Sequence, residues 1–144
     1  MKTQKIDSFN GKYRFLSNFY PVKVKLDGVT YDSVEHAYQA AKTIDKEERA
    51  KFIGITAGQS KRLGRQLSLR RDWDSVKINI MRDLLIQKFE DEQLKIDLLD
   101  TGDAELIEGN TWNDTFWGVC NGVGTNWLGR LLMEIRSNLR LDLA

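Results

Sequence analysis

The chain has 144 residues, 41% of them hydrophobic and 30% charged, and a formal net charge of +1. This size and composition predict one domain over residues 1–144, and the near-neutral charge argues against a global field that attracts nucleic acid or membranes. One cysteine excludes an internal disulfide, and one cysteine with one histidine argues against a zinc site, so we expect no metal and no cofactor.

Nothing in the sequence predicts a membrane segment or an export signal. No apolar run approaches the roughly 20 residues of a membrane helix, and residues 1–5 carry no apolar signal segment. A lone cysteine suits a reducing compartment. We therefore expect a cytoplasmic protein without membrane partners.

Short strands are predicted for the first third of the chain. Residues 22–26 alternate apolar residues with lysines, Asp27-Gly28 follows, and residues 29–31 resume the pattern. Asp-Gly between such segments is typical of a β-hairpin. Residues 13–16 are a candidate partner strand.

Helices are predicted for most of the rest. The first is capped by Asp32 or Ser33 and runs to about Ile44, and a later strand is predicted at residues 105–108. The other predicted helices cover residues 46–53, 59–66, 74–89, 93–99 and 126–139. We therefore expect an α+β, mainly α, single compact helical domain with a small antiparallel sheet near the N-terminus, and not a doubly wound fold.

The most informative segment is residues 34–42. At helical spacing Glu35, Tyr38, Gln39 and Lys42 share one face. A packed face would be apolar, whereas this one carries an acid, an amide and an amine, beside alanines that leave room for a ligand. The acid and the amine lie about 10 Å apart along the helix, which is enough to flank a small polar molecule.

A structural interpretation of the same residues stays open. Asp32-x-x-Glu35 fits a capping box, in which Glu35 bonds back to the N-cap amide. A carboxylate in the first turn is favoured by the helix dipole, which predicts a lowered pKa for Glu35. Lys42 taken alone is typical of a solvated lysine.

Residues 110–118 contain Trp112, Asp114 and Trp117 in a segment with little helical periodicity. Either buried indoles pin a loop, or they form an aromatic wall for a flat heterocycle with Asp114 beside it.

Three further features have a structural and a functional interpretation. Lys61 and Arg65 share one helix face, which is either solvated or holds a phosphate. The glycine-rich residues 118–126 favour a flexible turn over a phosphate site. Asn18 lies in a turn or donates to a sugar or base.

Together these segments resemble the NADAR (YbiA-like) domain family, in order and over nearly the whole chain. The matching segments are residues 16–19, 34–42, 57–65, 72–74, 101–103, 114–118, and 124–129 with 132–136. The resemblance implies an N-glycosidase that acts on phosphoribosylamino-pyrimidine intermediates of riboflavin synthesis or on ADP-ribose attached to guanine. The site positions carried over from the resemblance are Asn18, Glu35, Lys42, Trp73, Asp114 and Trp117.

The chemistry of such a reaction suggests roles for two acids. Cleavage of a C1′–N bond builds positive charge on the ribose. Our hypothesis places the Glu35 carboxylate against that charge, where it also activates water. Asp114 orients the water or the ribose hydroxyls.

The base and the phosphate need other partners. Trp73 or Trp117 stacks the planar base, and Lys61, Arg65 or Lys42 meets the phosphate, while Gln39 is a further substrate-binding candidate beside them. Lys42 has a second candidate role, as an amine that forms a Schiff base with an opened ribose.

Other functions stay open at this point. The substrate is either a free phosphoribosyl metabolite, which the near-neutral charge favours, or ADP-ribosylated nucleic acid, which the basic cluster over residues 61–71 favours. A module that binds ADP-ribose or a nucleotide without turnover, and an interaction domain with tryptophans in its core, are the alternatives.

Overall fold

The computed structural model describes residues 4–143. Residues 1–3 and residue 144 of the predicted domain lie outside the described residues, and so does most of the segment 1–5 considered as an export signal. A short 3-10 helix spans Gly11–Leu16. The strands are β1 Lys5–Ile6, β2 Val24–Leu26, β3 Val29–Tyr31 and β4 Glu105–Leu106. The helices are α1 Val34–Ala40, α2 Lys46–Ala50, α3 Ala57–Gly64, α4 Trp73–Lys88, α5 Glu92–Leu99 and α6 Trp127–Leu143.

The described chain divides into two compact units. The central unit is Asn18–Lys88, which contains β2, β3 and helices α1 to α4. The terminal unit is the chain up to Ser17 together with the chain from Phe89 onward, which contains β1, β4, α5 and α6.

The hairpin of the central unit follows from its turn residues. Strand β2 pairs antiparallel with β3, and Leu26 faces Val29 across the turn. Asp27 (φ 49°) and Gly28 (φ 83°) both have the left-handed conformation that a two-residue hairpin turn requires. The predicted hairpin and the predicted class, α+β and mainly α, are confirmed.

Helix α1 begins one residue later than a capping box at Asp32 requires. Ser33 is the N-cap, and its Oγ accepts a hydrogen bond from His36 N at 3.2 Å. The Asp32 carboxylate instead pairs with Lys23. The predicted capping box is therefore wrong, and Glu35 is left to bond elsewhere.

All seven residues of α1 are buried, because the helix packs against α3, α4 and the hairpin. Ala37, Ala40 and Ala41 are completely inaccessible to solvent. The alanines therefore allow close packing within the unit, and the room that the sequence predicted for a ligand beside them is filled. The helix also ends at Ala40, before the predicted Ile44.

Several other predicted elements need correction, since the strand predicted at 105–108 covers only Glu105–Leu106 and the helix predicted at 46–53 ends at Ala50. Residues 13–16, predicted as a strand, belong to the 3-10 helix, from which Phe15 and Leu16 are buried. Helix α3 begins two residues before the predicted residue 59, because Thr56 and Gln59 form a complete capping box there.

The terminal unit is held together by contacts between distant parts of the sequence. Strand β1 pairs in parallel with β4, with Ile6 opposite Leu106. Helix α6 packs against β4 and α5. The predicted inward residues of α6 are buried at Leu128, Leu131, Leu132 and Ile135, and half-buried at Leu139.

Lys88 ends α4 completely buried, and burial lowers its pKa to about 7. Its Nζ lies 5.7 Å from the ring centroid of Tyr20. An amine in this environment is substantially neutral near pH 7, which reduces the free energy needed to bury it.

Within residues 4–143, no helix combines the length and apolarity needed to cross a membrane.

Arg136 of α6 is buried and connects this helix to the turn between α5 and β4. It donates to Thr101 Oγ1 and to Ala104 O, both at 2.8 Å. We expect Arg136→Met to lower the free energy of unfolding by about 2–3 kcal/mol, because two buried acceptors lose a charged donor. Urea denaturation measures the change.

The matched control is Arg140→Met, one turn later on α6, which removes an exposed ion pair with Asp103 and an exposed hydrogen bond to the carbonyl of Gly102. An exposed pair contributes at most about 1 kcal/mol. Equal losses of stability in the two variants would contradict the role given to Arg136.

Candidate active site

Glu35 lies in the first turn of α1 and is 7% exposed. Its backbone N donates to Asn18 O at 3.0 Å, which ties the start of the helix to the preceding loop. Its Oε2 accepts a hydrogen bond of 2.9 Å from Nε2 of Gln39, one turn further along. A buried carboxylate is uncommon in proteins and is a candidate functional group.

Burial raises the pKa of Glu35, because a charged carboxylate loses solvation inside the protein. The hydrogen bond from Gln39 and the positive charges of Lys61 and Lys42 act in the opposite direction. The predicted lowering of this pKa by the helix dipole is therefore wrong, since desolvation is the larger effect.

Lys42 follows the end of α1 and is half-buried, not fully solvated. Burial lowers the pKa of Lys42, the Glu35 charge opposes this, and the positive charges of Arg65 and Lys61 add to it. Its Nζ lies 5.8 Å from the ring centroid of Tyr38. The amine is therefore easier to deprotonate than that of an exposed lysine.

Asn18 is half-buried beside the start of α1. Its Nδ2 contacts Met81 Sδ at 3.5 Å, and its buried Oδ1 has no hydrogen-bond partner among residues 4–143. The sequence suggests a donor to sugar or base, whereas the side-chain atom left without a partner is an acceptor. Buried polar atoms are nearly always paired, so this oxygen is a candidate ligand contact.

The basic residues of the predicted phosphate site differ in their surroundings. Lys61 on α3 is half-buried, and Arg65 at its C-terminal end is exposed. Both contribute positive charge at Lys42. Arg70 is instead bound to Asp72 at 2.6 Å and donates its backbone N to Lys42 O at 2.7 Å.

Trp73, a predicted stacking residue, begins α4 and is 5% exposed. Its ring lies 5.2 Å from that of Tyr38 at an interplanar angle of 51°. This indole packs in the core of the central unit, so the surface it offers to a base is small.

His36 is held by both ring nitrogens. Nε2 lies 2.7 Å from Ile55 O, and Nδ1 lies 2.7 Å from Ser33 Oγ. A carbonyl oxygen only accepts, so Nε2 carries a proton and donates to Ile55 O. The ring therefore links the cap of α1 to the segment that leads into α3.

Asp114, in the terminal unit, organises its own loop. Its Oδ1 accepts hydrogen bonds from Phe116 N at 3.1 Å and Trp117 N at 2.9 Å. Asn110 closes the loop, because its Oδ1 accepts from Asp114 N at 3.0 Å and its Nδ2 donates to Asp114 O at 2.8 Å. One carboxylate oxygen is therefore committed to the backbone.

The aromatic residues of this loop are partly accessible. Trp117 is half-buried and packs edge-on against Phe116, with 4.9 Å between ring centroids. Trp112 is 53% exposed. Both rings therefore expose some surface to solvent, and neither is a fully buried side chain that fixes the loop in the core.

The glycine-rich segment is an ordered turn. Cys120 and Val123 exchange two backbone hydrogen bonds of 2.9 and 3.0 Å. Asn121 and Gly122 between them have positive φ angles. The first amides of α6 donate to carbonyls of the aromatic loop, so they are not directed at a bound phosphate.

The structure places seven predicted site residues in the central unit, where hydrogen bonding and charge connect Glu35, Gln39, Lys42 and Lys61. The seven are Asn18, Glu35, Gln39, Lys42, Lys61, Arg65 and Trp73. Asp114 and Trp117 lie in the terminal unit. Gly64 was not predicted to matter for this site, and its only signal in the sequence is a glycine inside a helical pattern.

Residues 6–140 match the model of the NADAR domain. The chain belongs to the NADAR family. Within it, N-glycosidase YbiA of Shigella sonnei is 40% identical over 140 residues, which cover 94% of this chain and 87% of that protein.

Two further matches agree with this membership. The NMR structure of the E. coli protein YbiA has a TM-score of 0.85 and 36% identity, over 99% of this chain and 89% of that chain. A riboflavin biosynthesis protein of Vibrio vulnificus is 39% identical over 131 residues, which cover 88% of this NADAR chain and 35% of that protein.

The raised pKa of Glu35 predicts a pH dependence of stability. Between the ordinary glutamate value of about 4.3 and the raised value, the folded protein holds a proton that the unfolded chain has released. The stability of the wild type relative to Glu35→Gln should therefore fall as the pH rises through this interval and then level off. Urea denaturation across the interval tests this, and parallel pH profiles of the two proteins would contradict it.

The Asp114 loop gives a second prediction. Asp114→Ala removes the acceptor of two backbone amides and should lower the free energy of unfolding by about 1–2 kcal/mol. Asp114→Asn keeps a side-chain oxygen at the same position and should lose clearly less. Urea midpoints compare them, and an equal loss in both variants would show that these hydrogen bonds do not hold the loop.

Proposed function

We propose that this chain hydrolyses the C1′–N bond between a ribose, phosphoribose or ADP-ribose and a base, with Glu35 as the reacting carboxylate. Its membership of the NADAR family and the N-glycosidase name of its relative YbiA support a hydrolase that acts on N-glycosyl bonds. The observation that carries the assignment to Glu35 is its burial together with the hydrogen bond from Gln39.

The environment of Glu35 suits this chemistry. In the reaction the C1′–N electron pair leaves with the base, and C1′ acquires positive charge. An ionised carboxylate in a water-poor site stabilises that charge more than one in bulk water. The oxygen of water then bonds to C1′ and one water proton goes to the carboxylate, which passes it to the nitrogen of the departed base and so returns to its ionised form.

The direction of the pKa shift supports the second half of this step. A carboxylate with an ordinary pKa is a weak base toward water, and burial makes Glu35 a stronger one. The charges of Lys42 and Lys61 oppose the shift and favour the ionised form. Both properties are needed in one group that first stabilises a cation and then takes a proton.

Lys42 retains two proposed roles. As a cation, it would meet a phosphate together with Lys61 or Arg65. As a neutral amine, which its lowered pKa favours, it would attack the aldehyde of an opened ribose and release water to form a Schiff base.

The contacts of Asp114 and Trp117 with the substrate remain predictions.

The substrate proposed first is a free phosphoribosylamino-pyrimidine. The near-neutral charge of the chain and the riboflavin biosynthesis name of the Vibrio relative support it. ADP-ribosylated guanine in nucleic acid is the second candidate, because Arg62, Arg65 and Arg71 of the central unit are exposed and exposed arginines suit a phosphate backbone.

The test is release of free base from each substrate, followed by chromatography. Wild-type protein should release base from at least one of the two. Glu35→Gln should lower that rate by at least about 10²-fold, the usual contribution of a positioned acid or base. The exposed Glu47 of α2 provides the matched control, since Glu47→Gln makes the same chemical change on the surface of the same unit.

Near wild-type release by Glu35→Gln, with unchanged circular dichroism, would contradict the assignment. Binding of both substrates to wild-type protein without product would favour the nucleotide-binding module. Release from only one substrate would decide between the two substrate classes.

A further inference from the structure

Gly64, the last residue of α3, leaves a space that the side chain of Gln39 fills. A β-carbon at Gly64 would lie 1.9 Å from Gln39 Oε1, 2.8 Å from its Cδ and 3.2 Å from its Cβ. The first two distances are shorter than any contact a β-carbon makes, so the end of the Gln39 side chain would have to move. Gly64 is buried within a regular helix, so the need for space, and not an unusual φ angle, explains the glycine.

Gly58 of the same helix shows the contrast. The nearest atom to a β-carbon at Gly58 is Thr56 Oγ1 at 4.0 Å, an ordinary contact distance. Gly58 therefore has room for a side chain and Gly64 has none. The reason is that the amide of Gln39 occupies the space beside Gly64.

The position of this amide decides what Glu35 bonds to. Gln39 is 5% exposed, and its Nε2 donates to Glu35 Oε2 at 2.9 Å. Its Oε1, which lies against Gly64, is buried without a hydrogen-bond partner among residues 4–143. The amide is therefore fixed by one hydrogen bond to Glu35, and it fits in this position because Gly64 has no side chain.

We propose that Gly64 and Gln39 form a positioning pair for Glu35, in which the missing side chain of residue 64 allows the Gln39 amide to hold the carboxylate. Gly64 and Gln39 are positioning residues, and the pair assigns Gln39 to Glu35 in place of the predicted contact with substrate. The catalytic consequence depends on the function proposed above, whereas the hydrogen bond itself is testable in the free protein.

The pair makes opposite predictions for two substitutions in one helix. Gly64→Ala should push the Gln39 amide away from Glu35, and Gly58→Ala should leave it in place. Gln39→Ala removes the donor directly. Because the hydrogen bond from Gln39 lowers the pKa of Glu35, Gly64→Ala and Gln39→Ala should both raise that pKa above the wild-type value.

The experiment is a ¹³C NMR titration of the Glu35 carboxyl group in the full chain without substrate, with the signal assigned by Glu35→Gln. The Glu35 pKa should rise in Gly64→Ala and in Gln39→Ala and stay at the wild-type value in Gly58→Ala. The double variant Gly64→Ala/Gln39→Ala should titrate like Gln39→Ala alone, because both changes remove the same hydrogen bond.

Three results would overturn the proposal: an unchanged Glu35 pKa in Gln39→Ala, an unchanged pKa in folded Gly64→Ala, or a rise of the same size in Gly58→Ala. If Gly64→Ala does not fold, the double variant decides. Recovery of folding when Gln39 is shortened supports the pair, and failure to recover shows that the space at Gly64 does not serve Gln39.

Activity adds a readout that a merely structural role would not produce. With a positioned carboxylate, Gln39→Ala should lower kcat about tenfold and change KM less than about twofold. The acidic limb of the kcat profile should move to higher pH, since Glu35 must be ionised to act. If wild-type protein releases no base, the proposed function fails while the NMR titration still decides on the pair.

Discussion

The central unit is organised around one buried carboxylate, that of Glu35. Removing a charged group from water carries a large free-energy penalty unless hydrogen bonds and opposite charges compensate. Here the compensation comes from the next turn of the same helix, through Gln39, and from the lysines at positions 42 and 61. Several otherwise unrelated features of α1 and α3 follow from keeping these groups in place.

The helix that carries Glu35 shows how packing and chemistry share one short segment. Its alanines are completely buried and its acid and amide lie inside the unit. A solvated helix face would have left Glu35 an ordinary surface acid with an ordinary pKa. Close packing of α1 against α3 therefore creates the electrostatic environment that the proposed reaction uses.

Sequence alone was sufficient where a local interaction determines the structure. Asp27-Gly28 predicts the hairpin, because few other residues adopt left-handed backbone at two successive positions. The spacing of Glu35 and Gln39 likewise predicts that they lie one turn apart on one helix, whereas Lys42, predicted on the same helix face, follows the end of α1. The family resemblance, carried by segments along the chain, is confirmed by the NADAR match.

Tertiary contacts explain the features that the sequence did not predict. The choice between Asp32 and Ser33 as cap depends on where Asp32 finds a partner, and the pKa of Glu35 depends on burial by α3 and α4. The parallel pairing of β1 with β4 joins segments about a hundred residues apart and leaves no local signal. The reason for Gly64 becomes visible only when the Gln39 side chain is placed against it.

The single histidine of the chain has a consequence for how any reaction here moves protons. His36 Nε2 donates to Ile55 O, and Nδ1 lies 2.7 Å from Ser33 Oγ, so both ring nitrogens are engaged inside the unit. Neither ring nitrogen is therefore directed at a substrate. In the proposed reaction the groups placed to move protons are Glu35 and Lys42, and burial raises the pKa of the first and lowers the pKa of the second.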